Sequence, residues 1–190
     1  DDRNALICAA EERFGYPVFV KPANAGSSVG ITRAADRAAL AAGIEAAFAE
    51  DRKLLIEPAV EGREIEVAVL GNARPEASHC GEIRPNSDFY DYETKYINDA
   101  AECLAPAPLS PETDAAIRKL ALRVYGALDC AGLSRVDFFL LPDGTALFNE
   151  INTIPGFTPI SMYAKLFAHA GIPYPALIGR LLALADGREA

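Results

Sequence analysis

Residues 133–152 read LSRVDFFLLPDGTALFNEIN, and the way this stretch folds decides what the remainder of the chain must do. Two apolar runs flank the turn tripeptide Pro142-Asp143-Gly144, so the segment predicts two strands, Leu133 to Leu140 and Thr145 to Ile151, joined as a hairpin. Side chains two residues apart on a strand share a face, which pairs Arg135 with Asp137 and Glu150 with Asn152. Pairing of the strands then brings Asp137, Glu150 and Asn152 to one place as three oxygen donors. Clustered carboxylates raise one another's proton affinity unless a cation lies between them, and hard oxygen donors without histidine or cysteine suit magnesium. Spacing alone equally admits a plainer arrangement, in which these are solvated strand-end groups salt-bridged to Arg135.

After the hairpin, Pro155-Gly156 breaks the strand, and two amphipathic helices are expected near Met162 to Ala170 and Tyr174 to Asp186. Before it, Ser110 can cap a helix that has Pro111 in its first turn and runs to about Leu128. Between Ile83 and Ala107 the periodicity fails, and RPNSDFYDYETKYINDAAECLAPAP (84–108) is expected to be a functional loop. The first part of the chain predicts a helix from Asn4 to Phe14 closed by Gly15, a strand Val18 to Val20, and a helix from about Asp36 to Glu50. Strands at Leu54 to Ile56 and Ile65 to Val69 follow, with a turn at Gly62 between them.

The 190 residues are 51% hydrophobic and carry a net charge of -9, which predicts one domain or two closely joined lobes and excludes a sequence-independent nucleic-acid binder, since such a protein needs a basic face. No run is long and apolar enough to span a membrane, and the opening DDRNALICAAEERFGYP lacks the layout of a signal peptide, so a cytoplasmic protein is expected. Cys8, Cys80, Cys103 and Cys130 form no CxxC pair and read as structural thiols; His79 and His169 are too few for a histidine metal site. The first residue is not Met, from which a piece of a longer protein is expected.

Two further constellations carry chemistry. Val18 to Pro22 ends in Lys21 and leads into NAGSSVG (24–30), where backbone N–H groups and hydroxyls can cradle a phosphate or simply form a flexible hairpin. It is not a P-loop, because the lysine precedes the glycines. In LLIEPAVEGRE (54–64), Glu57 ends a buried run and Glu64 begins the next strand; each could meet a nucleoside, and Glu64 alone could equally be a surface charge.

Together, PVFVKPANAGSSVGI (17–31), LLIEPAVEGREIEVAVLG (54–71), FYDYETKY (89–96), LSRVDFFL (133–140) and FNEINTIPGFTPISMY (148–163) resemble, in order and approximate spacing, the D-alanine:D-alanine ligases of the ATP-grasp superfamily. The resemblance implies an α+β ATP-grasp fold of two lobes, each a mostly antiparallel sheet with packed helices, taken here as residues 1–75 and 76–190. It implies ATP and two magnesium ions, with manganese as a substitute, and ligation of two D-alanines through an acyl phosphate for peptidoglycan precursors. Lys21, Ser27 and Ser28 would meet the phosphates, Glu57 and Val60 the adenine, and Glu64 the ribose. Asp137, Glu150 and Asn152 would hold the ions, while Arg135 and the Gly156 N–H would stabilise the oxyanion. Ser161 and Met162 would receive the acceptor carboxylate, Tyr90 would line the substrate site, and Ser27, Lys95 and Tyr96 would tie a lid over about 87–99 to it. The resemblance also implies a homodimer in a full-length parent. Members of the family carry a further N-terminal domain with donor-substrate groups, which these residues do not match. Alternatives are a different ATP-grasp carboxylate-amine ligase, making a D-alanine:D-serine or D-lactate product, or a non-catalytic nucleotide-binding fragment.

Overall fold

The computed structural model describes residues 2–24, 29–85 and 101–187. Among them, the chain up to Val60 forms one compact unit and the chain from Glu61 onward forms another.

The first unit runs α1 (Asp2–Phe14), β1 (Val18–Pro22), β2 (Thr32–Ala34), α2 (Arg37–Glu50) and β3 (Leu54–Pro58). Its sheet has the order β2-β1-β3, antiparallel throughout. The Asp36 carboxylate caps α2 by accepting from the Ala39 N–H at 2.8 Å. Along β1, Val18 and Val20 are fully buried against Leu40, Ile44 and Ala47 of α2. The intervening Phe19 and Lys21 therefore occupy the opposite face. The small residues of α2 let it lie close to the sheet: a Cβ on Gly43 would stand 3.0 Å from the Cβ of Thr32.

The second unit contains β4 (Arg63–Gly71), β5 (Glu76–Ala77), β6 (Gly81–Pro85), β7 (Ala101–Leu104), α3 (Pro111–Ala127), β8 (Gly132–Leu140), β9 (Ala146–Asn152), α4 (Met162–His169) and α5 (Tyr174–Ala185). Its strands are ordered β7-β6-β4-β8-β9, with β5 paired to β4, and every pairing is antiparallel. The spine is the pairing of β4 with β8, which runs from Arg63 opposite Leu140 to Gly71 opposite Gly132. This strand puts the boundary between the compact units after Val60, whereas the expected division is 1–75 and 76–190.

Period-two alternation gives the sheet two unlike faces. Ile65, Val67 and Val69 of β4 join Val136, Phe138 and Leu140 of β8 in one core, sealed by Ile117, Ala121 and Tyr125 of α3. Those helix positions are four apart, so they stack on one stripe, and the Tyr125 hydroxyl donates to the Gly71 carbonyl at 2.7 Å. Glu64, Glu66 and Ala68 point the other way. On that side Met162, Tyr163, Leu166 and Phe167 of α4 are buried, and the Tyr163 hydroxyl donates to the Val69 carbonyl at 2.9 Å. Gly81 of β6 makes this approach possible, since a Cβ there would lie 2.7 Å from the Met162 sulfur.

β7 lies inside the segment read as a loop, pairing through Cys103 opposite Ile83. It is a four-residue edge strand with one neighbour, too short and too exposed for alternation to show.

Candidate active site

β8 and β9 are a hairpin whose register changes partway. From the turn inward, Leu140 faces Ala146, Phe139 faces Leu147 and Phe138 faces Phe148; beyond that point Asp137 faces Glu150, Val136 faces Ile151 and Arg135 faces Asn152. Asn149 is thus the extra residue of a β-bulge, and the switch turns Glu150 and Asn152 onto the face of Asp137 while Ile151 packs against the core. On the other flank of Asp137 stands Glu66 of β4. Three adjacent strands therefore each present a carboxylate in one row.

Arg135 lies across this row. Its Nε donates to Asp137 Oδ1 at 2.8 Å and its Nη2 donates to Asp137 Oδ2 at 2.7 Å, a bidentate pair, and Nε is also 3.2 Å from Glu66 Oε1. Burial opposes the Arg135 charge, but the hydrogen bond to Asp137 and the charges of Glu66, Asp137 and Glu150 outweigh it and hold the guanidinium above the usual arginine range. Asp137 is 9% exposed, whereas Glu150 is exposed. Asn152 uses Oδ1 to accept from the Ile154 N–H at 3.1 Å.

With three carboxylates to one guanidinium, the row is net negative and suits a cation. Among the described residues, no three His, Cys, Asp or Glu groups gather closely enough to hold a metal by themselves. The donor set of two carboxylates and a carboxamide fits magnesium in a different way, because that ion commonly takes one or two carboxylates and completes its shell with water and phosphate oxygens.

The acceptor-side residues follow β9. Gly156 is exposed, and a Cβ there would meet nothing within 4 Å. Ser161 sits at the N-cap position of α4, where its carbonyl accepts from the Lys165 N–H at 3.0 Å but its side chain makes no cap bond; the hydroxyl instead donates to the Thr158 carbonyl at 2.8 Å. The first N–H groups of α4, from Met162 on, have no intrahelical partner by the nature of a helix start. The Met162 side chain is buried, so only its backbone is available to a ligand.

In the first unit, Lys21 and Glu57 lie on neighbouring strands, and Lys21 Nζ is 2.7 Å from Glu57 Oε2. Val60 is half-buried at the end of this unit. Glu64 stands on β4 of the second unit, between Ile83 and Phe139. Ser27, Ser28, Tyr90, Lys95 and Tyr96 lie outside the described residues. Glu66 was not singled out from sequence, although the alternation of Glu64-Ile65-Glu66-Val67 marks it as sharing the polar face with Glu64.

A lysine-bearing strand in one antiparallel unit, and an oxygen-rich strand pair in a second, belong to the ATP-grasp class of α+β folds, the class of the solved structures that this chain resembles. The family profile described as D-ala D-ala ligase C-terminus matches residues 1–183, and the chain belongs to that family. Over 188 residues it is 54% identical to a D-alanine--D-alanine ligase of Clostridium acetobutylicum, covering 98% of this chain and 55% of the relative. It is 49% identical over 188 residues to D-alanine--D-alanine ligase A of Escherichia coli, covering 98% of this chain and 52% of that protein. The D-alanine-D-alanine ligase structure from Coxiella burnetii superposes with a TM-score of 0.86 at 36% identity, over 99% of this chain and 49% of its own. The VanG D-Ala:D-Ser ligase from Enterococcus faecalis gives 0.88 at 37% identity, over 96% and 53%. The chain spans about half the length of the curated relatives it matches.

Proposed function

We propose that the protein carrying these residues joins two D-alanine molecules at the expense of ATP, with D-alanyl phosphate as the intermediate. The observation that carries this reading is the register of β8 against β9, which gathers Arg135, Asp137, Glu150 and Asn152 on one face in a chain about half identical to named D-alanine--D-alanine ligases.

The residues divide the work as follows. Lys21 takes the phosphates, exchanging the Glu57 carboxylate for phosphate oxygens, and Ser27 and Ser28 would supply further donors to them. Glu57 and the backbone to Val60 hold adenine, and Glu64 accepts from ribose hydroxyls. A carboxylate attacking the γ-phosphate meets like-charge repulsion, and magnesium held by Asp137, Glu150 and Asn152 would neutralise the triphosphate there. Arg135 and the Gly156 N–H face the oxygen that becomes negative when the amine adds to the acyl phosphate, as donors fixed in advance of the charge. The Ser161 hydroxyl and the first N–H groups of α4 receive the carboxylate of the second D-alanine, since a helix start favours an anion. Tyr90 would line the substrate site, and Ser27, Lys95 and Tyr96 would tie the segment 87–99 to it and keep out water, which would otherwise hydrolyse the acyl phosphate. The setting proposed is the cytoplasm, and the assembly a homodimer. Among the described residues no helix is long and apolar enough to cross a membrane.

The test is competition among D-alanine, D-serine and D-lactate as acceptor, with ATP, magnesium and D-alanine as donor. D-alanyl-D-alanine is the expected main product at neutral pH. Predominant D-alanyl-D-serine or a depsipeptide would assign a sister activity, and magnesium-independent nucleotide binding with no ligation would leave only a nucleotide-binding module.

A further inference from the structure

We infer that Glu66 is a positioning residue for Arg135, a second seat that keeps the guanidinium in the oxygen row when cations occupy Asp137 and Glu150; its loaded-state half rests on reading those two residues as magnesium ligands.

Four observations meet here. The register places Glu66 opposite Asp137 and Asp137 opposite Glu150, so the two outer carboxylates flank the central one. Like charges directly opposite on neighbouring strands destabilise a sheet, and Arg135 is the group that offsets them. Its Nε–H donates to Asp137 Oδ1 at 2.8 Å, and the same Nε stands in ion-pair range of Glu66 Oε1 at 3.2 Å, while Nη2 donates to Asp137 Oδ2 at 2.7 Å. Both partners are sheltered, with side-chain exposures of 22% for Arg135 and 13% for Glu66. On the flank away from Asp137, the register partner of Glu66 is Gly81, and the space a side chain would take there is filled by Met162. Glu66 thus has an apolar neighbour on one side and a cation on the other.

Asp137 alone cannot both keep Arg135 and serve a dication. Its two oxygens already face the guanidinium, and a divalent ion at Asp137 and Glu150 repels a neighbouring positive charge. Glu66 lies on the far side of Asp137 from Glu150, so its carboxylate still attracts Arg135 when that ion arrives. The guanidinium would then pivot: Nη2 leaves Asp137, the Nε–H turns from Asp137 to the nearby Glu66 carboxylate, and the freed N–H groups turn toward substrate. Without Glu66, cation binding would release Arg135 altogether.

The experiment follows the Arg135 Nε–H by NMR in the 190-residue chain labelled with 15N-arginine, the resonance being assigned by its loss in Arg135→Lys. Its exchange with water is measured with and without magnesium alone. In the native chain the resonance should stay protected at saturating magnesium. In Glu66→Gln, nearly the same in shape, exchange should quicken about twofold without metal and at least tenfold with it, and Glu66→Asp, one methylene short, should fall between. Thermal melting of each variant separates loss of the seat from loss of the fold. Exchange in Glu66→Gln and Glu66→Asp equal to the native rate in both conditions would overturn the inference. The Asn152 side-chain amide reports cation binding independently: if neither magnesium alone nor magnesium added to the chain with ATP shifts it, the metal reading fails, while the metal-free comparison of Glu66 variants still decides whether Glu66 seats Arg135.

Discussion

Asp137 faces Glu150 across β8 and β9 although Phe138, its neighbour, faces Phe148, and the single residue absorbed between the two pairs is Asn149. The bulge separates an apolar half of the hairpin from a polar half. It also commits Ile151 to the core beside Val136. Ile151→Ala should therefore cost about 2 kcal/mol of stability, at the low end of the range for trimming a buried aliphatic chain because the site is only partly buried. Asn149→Ala, at the bulged position, should change stability by less than about 1 kcal/mol. Urea unfolding of both variants checks the pair, and a larger loss for Asn149→Ala would mean that the bulge is held by its side chain rather than by the register.

A second prediction concerns acid. Glu82 is 3% exposed and accepts two hydrogen bonds from Arg63, each 2.8 Å, plus one from Arg84 at 3.1 Å. The Arg63 hydrogen bond, outweighing burial, holds its carboxyl below the usual glutamate value. The unfolded chain thus binds this proton more readily, so the contribution of Glu82 is complete above about pH 5 and is lost as pH falls through its lower native value. Glu82→Gln should destabilise the second unit by about 1–2 kcal/mol at pH 7, because it removes a charged acceptor of Arg63 and Arg84 while both stay partly solvated and keep the Pro108 carbonyl and Glu102. The difference from the native chain should shrink steadily between about pH 5 and pH 3. A constant gap across that range would show that the loss comes from packing.

Much of this was legible in the sequence because local signals agreed. Ser110 before Pro111 does cap α3, with its hydroxyl oxygen accepting from the Thr113 N–H at 3.2 Å, and the turn at Pro142-Asp143-Gly144 does join β8 to β9. What stayed hidden depends on partners distant in sequence. No local pattern says that β4 leaves the first unit to become the central strand of the second sheet, nor that AECL at 101–104 is a strand, since edge strands lack a second neighbour to impose alternation. The bulge is similarly silent: counting back from the turn in strict register would have placed Glu150 beside Val136 in the core. Alternation puts Glu66 on the polar face of β4, but its closeness to Asp137 and Arg135 comes from the strand that lies next to it.

The nucleotide reading of the first unit predicts a simple asymmetry. Lys21 is 18% exposed on its side chain and Glu57 is 40% exposed, and a half-exposed pair of this kind contributes little to stability. Lys21→Met should therefore leave the melting temperature nearly unchanged. A charge-assisted contact to phosphate is worth about 1.5–3 kcal/mol, so the same variant should weaken Mg-ATP binding about tenfold to a hundredfold. Calorimetry measures both in one protein, and unchanged ATP affinity would remove Lys21 from the phosphate site.

Glu150 and Asp137 should part company when each is neutralised. Glu150 is exposed and its register partner is another carboxylate, so Glu150→Gln removes a repulsion and should leave stability unchanged or raise it by a few tenths of a kcal/mol. Asp137 is 9% exposed and holds Arg135 by two hydrogen bonds, so Asp137→Asn should cost about 3 kcal/mol, the range for breaking a sheltered ion pair. Function should order the two differently. Glu150 makes no hydrogen bond to Arg135 and is the carboxylate most open to a cation, so Glu150→Gln should lower D-alanine-dependent phosphate release from ATP at least about a hundredfold, the scale expected when charge neutralisation at a transferring phosphoryl group is lost. Measured in the full-length protein beside thermal melts, a Glu150→Gln variant that is stable yet inactive supports the cation site. A variant that turns over at the native rate would show that the row of carboxylates exists to hold Arg135 and nothing else.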